Sequence, residues 1–263
     1  MSTIQKGYAD TPNGQIHYRQ IRQAGGIPLV LLHQTASSSS MFEALMTTLA
    51  DKFHTIAPDT PGFGNSFTPP SNFDLEFLAS ALHTALRALG VTSCFLFGHH
   101  TGAALAVQMA SKHPQMVRKL ILSGPPLLNE GQKERLKASL RPFALREDGT
   151  HLTQTWQRIR ERAPSLPLEI VQRETLLNQW AGTAAQQAYQ AVFDQPLGEQ
   201  LSTLNIPALV MAGEQDTLRA SLEPSYALLK QGALQILPGE GPYLCDQNPQ
   251  AVAQAIESFL TVP

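Results

Sequence analysis

Short apolar runs alternate with longer segments whose apolar positions fall three and four residues apart, and this alternation organises most of the chain. Between positions 7 and 23, two alternating segments, the second at 15–21, are separated by Thr11-Pro12-Asn13-Gly14. Asn-Gly between strand-like runs predicts a hairpin. Pro28-Leu29-Val30-Leu31-Leu32 is an unbroken apolar run of strand length, suited to a strand buried on both faces of a parallel sheet. It ends at His33-Gln34-Thr35, after which serines 37–40 offer N-caps for a helix at 41–51.

A second strand at 53–58 leads into Asp59-Thr60-Pro61-Gly62-Phe63-Gly64-Asn65-Ser66, where Pro and Gly density predicts an ordered loop. Leu75, Leu78, Leu82, Leu86 and Leu89 repeat at helical spacing over 74–90, with Gly90 as the stop. The run Cys94-Phe95-Leu96-Phe97 then meets Gly98-His99-His100-Thr101-Gly102, which opens a helix over 103–112, and 117–122 reads as a further strand. From about 127 to 198 the alternation stops, and short helices broken by Pro142, Pro164 and Pro167 are predicted. Strand and helix then alternate again at 207–213, 221–231, 233–238 and 249–260. Repeated strand–helix units predict a mostly parallel sheet covered on both faces, with ligands at the carboxyl ends of its strands.

Composition narrows the class. The 263 residues are 43% hydrophobic and 15% charged, with a net charge of -2 and a pI near 6.4. These values predict a globular protein whose partner is a small molecule, with neither nucleic acid nor membrane engaged. Self-association as a homodimer stays open. No apolar run approaches the roughly 20 residues that cross a bilayer, and a cytoplasmic location is expected. Cys94 is expected in a buried strand and Cys245 in a late loop, both inert.

The order of these pieces resembles the α/β-hydrolase superfamily over essentially the whole chain. The resemblance rests on the strand ending in His33, on Asp59-x-x-Gly62-x-Gly64-x-Ser66, and on Gly98 to Gly102 as a nucleophile elbow. Ala212-Gly213-Glu214-Gln215-Asp216 and Leu237-Pro238-Gly239-Glu240-Gly241-Pro242-Tyr243 complete it. It implies a mostly parallel eight-stranded sheet, a core formed by 1–126 and 199–263, and a helical cap at 127–198 inserted after the sixth strand.

By position, the family's nucleophile, acid and base fall on His100, Asp216 and Pro242. Proline has no proton to move and the elbow has no hydroxyl, so the ordinary serine mechanism is not expected. His100 reaches farther than serine, and the absent base leaves space beside Asp216. The expectation is a His100/Asp216 acid–base dyad, with backbone amides of Thr101 and of Gln34 or Thr35 as the oxyanion hole. Hydrolysis through water, carbon–carbon cleavage, isomerisation and cofactor-independent oxygen chemistry all stay open, as does a catalytically silent binding or scaffold protein.

The expected pocket wall is apolar, formed from His33, Phe63, Phe143, Trp156, Trp180 and Tyr243 among other aromatics, which implies a small and largely apolar ligand. Arg141 and Arg146 are candidates to meet a carboxylate. No cofactor is expected. No metal is expected either, because His33, His99 and His100 lack a zinc-binding spacing and their side chains should diverge.

Overall fold

The computed structural model describes residues 3–140 and 144–261. Strands β1 (Gln5–Thr11) and β2 (Gly14–Ile21) form the predicted antiparallel hairpin, closing with Thr11 opposite Gly14. Next come β3 (Leu29–Leu32), a 3-10 turn at Ser39–Phe42, α1 (Glu43–Leu49) and β4 (Thr55–Pro58). The helix expected at 41–51 is therefore shorter, because the Ser38 side chain caps the tighter turn by accepting from the Ser40 N–H. Helix α2 (Leu75–Ala88) starts where the Asp74 carboxylate accepts from the Phe77 N–H at 2.7 Å. Strand β5 (Cys94–His99), α3 (Thr101–Lys112) and β6 (Val117–Ser123) follow.

Among the described residues, five helices lie between β6 and the next strand, in the stretch where strand patterning lapses. They are α4 (Glu130–Ser139), α5 (Thr150–Arg162), α6 (Leu168–Ala181), α7 (Thr183–Asp194) and α8 (Leu197–Thr203). The chain ends with β7 (Ala208–Gly213), α9 (Leu222–Leu228), β8 (Gly232–Leu237), α10 (Leu244–Gln247) and α11 (Pro249–Thr261). Cys245 lies buried in α10, not in a loop as expected, because the turn after Tyr243 packs its apolar side onto the core.

The eight strands form one sheet in the order β1-β2-β4-β3-β5-β6-β7-β8, parallel from β4 to β8. Side-chain alternation divides the core between its faces. Val30, Leu32, Leu96, Leu120 and Leu122 pack with residues of α2 and α3, while Leu29, Leu31, Phe97, Ile121 and Met211 pack with α1 and α11. This two-sided burial explains the unbroken apolar runs. It also aligns the carboxyl ends of β3 and β5, with Leu32 paired to Gly98, so that the loops beginning at His33 and His99 leave the sheet side by side.

The inserted helices are tied to those loops by polar contacts. Tyr189 on α7 donates to the Thr35 carbonyl at 3.2 Å, Ser37 donates to Glu174 on α6 at 3.0 Å, and Arg173 grips Asp246 on α10 with two bonds of 2.8 and 2.7 Å. Leu96 is fully buried on the central strand. Leu96→Ala is expected to destabilise the protein by about 2–5 kcal/mol, through lost apolar contact and a residual cavity, read as a lower denaturation midpoint at unchanged m-value.

Candidate active site

The chain turns from β5 into α3 at His100, whose backbone has φ 51° and is the one non-glycine residue with positive φ among those described. Such a conformation disfavours any side chain, and it persists here because the surroundings leave no alternative. A Cβ on Gly98 would strike the Gly102 carbonyl oxygen, and one on Gly102 would strike the carbonyl oxygen of Leu32. The two glycines thus let strand and helix meet on a bend too tight for side chains.

The bend aims the His100 ring at the loop after β7. Its Nε2 lies 3.0 Å from Oδ1 and 2.9 Å from Oδ2 of Asp216, and 14% of the His100 side chain is exposed. The carboxylate also accepts the Leu218 N–H at 2.7 Å. Burial opposes ionisation of Asp216, but attraction to His100 and their hydrogen bond, helped by the Leu218 N–H, bring its pKa down to about 2. Asp216 is a carboxylate at neutral pH and acts as an acceptor, so Nε2 carries the proton. No partner meets His100 Nδ1 among the described residues, and its lone pair is the group left for chemistry.

Gly124, just after β6, makes room for this ring. It has φ 57°, and a Cβ there would stand 2.6 Å from His100 Cδ2 and 2.9 Å from Nε2. Behind the elbow, His99 is wholly buried and stacks on His100 with ring centroids 4.0 Å apart. Its Nε2 donates to the Pro242 carbonyl at 3.0 Å, which leaves Nδ1 to accept from the Ser123 hydroxyl at 2.9 Å. A serine against an imidazole has the outline of a nucleophile and base, yet Ser123 is also fully buried. Burial and the neighbouring His100 push the His99 pKa down to about 3, which makes it a poor proton acceptor.

His33 has a similar tethering part. Its Nδ1 donates to the Gln34 carbonyl at 2.8 Å and its Nε2 accepts the Thr60 N–H at 2.9 Å, so it joins the β3 loop to the β4 loop. Burial lowers its pKa, and the nearby Asp59 only partly opposes this. Asp59 itself is buried and receives His17 Nδ1 at 2.8 Å, the Asn65 N–H at 2.9 Å, and both the N–H (2.7 Å) and the hydroxyl (2.5 Å) of Ser39. These bonds outweigh burial and hold its carboxyl well below the usual range.

His99, His100 and Asp216 bring potential metal donors within 4.8 Å of one another. A cation would nevertheless have to displace one of the two hydrogen bonds of His99 and the His100–Asp216 contact, so the donor set fits a proton network better than a metal.

A cavity of about 930 Å³ lies between the β3 loop and the inserted helices. Gln34 and Thr35 form its inner edge with Tyr189 and Tyr243, and Arg146, His151, Arg158 and Arg162 are on its outer wall. His100 is not among its lining residues.

Comparison with known proteins follows this geometry closely. A family model described as the α/β hydrolase fold matches residues 27–249. The chain belongs to the α/β-hydrolase fold family. The 2-(acetamidomethylene)succinate hydrolase of Mesorhizobium japonicum is 25% identical over 253 residues, covering 91% of this chain and 90% of that protein. A crystal structure of E-2-(acetamidomethylene)succinate hydrolase superimposes with a TM-score of 0.78 at 22% identity, over 99% of this chain and 100% of that one. A hydrolase from Pseudomonas aeruginosa PA01 does so with a TM-score of 0.82 at 24% identity, over 98% of each.

Within this α/β-hydrolase frame the residues singled out from sequence fall into three groups. His100 and Asp216 meet directly, while Thr101 opens α3, whose N-terminus has no side-chain cap, beside Gln34 and Thr35 on the neighbouring strand end. Of the expected pocket wall, Tyr243 lines the cavity and Phe143 lies outside the described residues. The others are elsewhere. His33 and Phe63 pack edge to face 5.8 Å apart beneath the loops, Trp156 packs with Ile159, Ala163, Leu166 and Val171, and Trp180 is 76% exposed on the outer side of α6.

The wall of this cavity is mixed in character, with arginines and glutamines beside Ile159, Ala185, Tyr189 and Tyr243. On α5, Trp156 goes to the packing of the inserted helices, while Arg158 and Arg162 line the cavity together with Thr155 and Ile159. Gly124, Arg158 and Arg162 were not anticipated; a glycine directly after a strand end was the available signal for the first.

Two outcomes are expected. Gly124→Ala should cost about 1–3 kcal/mol and displace the His100 ring, read by denaturation and by the imidazole ¹⁵N shifts. His99 binds its proton more readily unfolded than folded, so protonation favours the unfolded chain. Its contribution should be complete above about pH 6.5 and fade as pH falls toward 3. Asp216, also depressed, should add a loss as pH falls from about 3.8 through 2. His99→Gln should flatten the slope of Tm against pH between 6.5 and 3; an unchanged slope would refute this assignment.

Proposed function

We propose that this chain is a cofactor-independent enzyme that uses His100 and Asp216 as an acid–base pair on a small organic molecule held beneath the inserted helices. The observation that carries this reading is the contact of His100 Nε2 with both Asp216 oxygens, at 2.9 and 3.0 Å, with Nδ1 left unpartnered among the described residues. The carboxylate fixes the ring as the Nε2–H tautomer, so the Nδ1 lone pair takes a proton from water or from the substrate. The proton then returns from Nδ1 to the leaving group or product carbon.

Negative charge that develops on oxygen in that step would be met by the N–H of Thr101 with that of Gln34 or Thr35. One such donor is commonly worth about 2.7–4 kcal/mol to a transition state. The inserted helices, 127–198, would serve as the cap that excludes water over a core of 1–126 and 199–263. Hydrolysis with water as the attacking group is supported by the hydrolase class of the Mesorhizobium relative, at 25% identity. The absence of a serine at the elbow and of histidine at 242 argues against an acyl-serine route. Carbon–carbon cleavage and isomerisation use the same proton transfers.

One observation favours a second reading, a binding protein without turnover: His100 is not on the cavity wall. The two separate in one experiment. Esters, lactones, amides and enolisable ketones are incubated with the protein in D₂O and followed by NMR for cleavage or deuterium uptake. Turnover is expected for the native chain, with a loss of about 100-fold or more in His100→Ala. Full turnover in that variant would eliminate the dyad, and binding without turnover across the panel would favour the second reading. A fluorophosphonate should leave the protein unlabelled, whereas covalent labelling at Ser123 would restore a serine mechanism.

A further inference from the structure

We propose that the cavity takes a ligand bearing a carboxylate, held by Arg158 and Arg162. This names the substrate class of the site just described and rests on that reading. The two arginines are one helical turn apart on α5 and line the same cavity wall. Like charges at i and i+4 repel one another, so their juxtaposition works against the helix unless an anion meets them. Among the described residues, Arg19 pairs with Glu43, Arg173 with Asp246 and Glu174, and Arg219 with Glu223. Neither Arg158 nor Arg162 is in such a pair.

Both arginines are exposed to solvent at the mouth of the cavity, and one of them is held in place. Arg158 is tethered at 3.1 Å to the hydroxyl of buried Thr155, which also receives Gln179 of α6 at 2.7 Å. Arg160, between them in sequence, turns to the other flank and donates to the Leu166 carbonyl at 2.9 Å. The remaining charges on the cavity wall do not cancel the pair. Arg146 adds a third cation, Glu174 is already held by Arg173 and Ser37, and among the described residues only Glu161 is left on the wall as an unpaired carboxylate.

The pair also acts toward the reacting end of the site. Burial raises the pKa of the Tyr189 hydroxyl, and Arg162 and Arg158 pull it the other way, so their field extends to the inner wall. That hydroxyl donates to the Thr35 carbonyl, in the loop proposed to supply an oxyanion donor. A ligand with its carboxylate on α5 would extend its other end toward Gln34 and Thr35. Planar guanidinium groups suit a carboxylate because each can present two parallel N–H donors to its two oxygens.

The test is calorimetric titration with succinate and benzoate, each against its uncharged counterpart, succinamide and benzamide. Saturable binding of at least one carboxylate is expected, with the amide about tenfold weaker or more. The double variant Arg158→Gln/Arg162→Gln should lose about tenfold or more, and the Arg→Lys pair should fall between it and the native chain. Perturbation of the arginine Nε–H NMR signals in the unaltered protein provides a readout that does not depend on any variant folding. Binding is read here without turnover, so a failure of the catalytic reading would leave this result standing. Carboxylate binding that is absent, equalled by the amides, or unchanged in the double glutamine variant overturns the proposal.

Discussion

At His100 the chain must leave β5 and enter α3 within one residue, and it does so only with a positive φ of 51°. Three glycines are arranged around that demand. Gly98 and Gly102 permit the strand and helix to close on each other and on β3, and Gly124 leaves the volume that the ring occupies. The strain is borne by a densely hydrogen-bonded sheet, in which the His100 N–H itself donates to the Ser123 carbonyl at 2.8 Å. Conformational cost of this kind, about 1–3 kcal/mol, persists only where surrounding structure over-determines it. Here it puts the imidazole against Asp216.

Two neighbouring histidines of similar sequence context have opposite chemistry because of what surrounds them. His99 faces inward and has both nitrogens engaged, one with Ser123 and one with the backbone of the last loop. Proline at 242 has no side-chain proton to transfer but supplies the carbonyl that His99 meets. The last loop is thereby fastened to the elbow through its backbone. His100 faces the β7 loop, has one nitrogen engaged by a carboxylate, and retains a free lone pair among the described residues. Position on the turn, rather than residue type, separates a structural brace from a candidate base.

Much of this was legible from sequence because the signals were local. Unbroken apolar runs marked the parallel strands, Asn13-Gly14 the hairpin, leucine spacing the helix at 74–90, and the spacing of Gly98 and Gly102 the elbow. The meeting of residues 100 and 216 could be anticipated because a family frame fixes which strand ends adjoin. The pocket wall could not. An aromatic in an amphipathic helix looks the same whether it serves the helix packing or the cavity, and only the rotation of α5 decides that Trp156 goes one way and Arg158 the other. Trp180 is the extreme case, since its helix presents that position outward, at 76% exposure. Pro242 was equally opaque, because a side-chain reading registers what proline lacks and overlooks the carbonyl it keeps.

The distribution of cations above the sheet carries the synthesis one step further. Arg173 is largely enclosed and has two carboxylate partners, Asp246 and Glu174, which raise its pKa against the effect of burial. It joins α6 to α10, with Glu174 reaching on to Ser37. Removing one partner of such an enclosed pair is costly, because the other charge is then left without compensation. These contacts hold the roof of the cavity over the loops of the sheet. With the roof pinned by Arg173 and by Tyr189 on Thr35, the exposed arginines of α5 stay at the mouth of the cavity, where a carboxylate entering it would meet them.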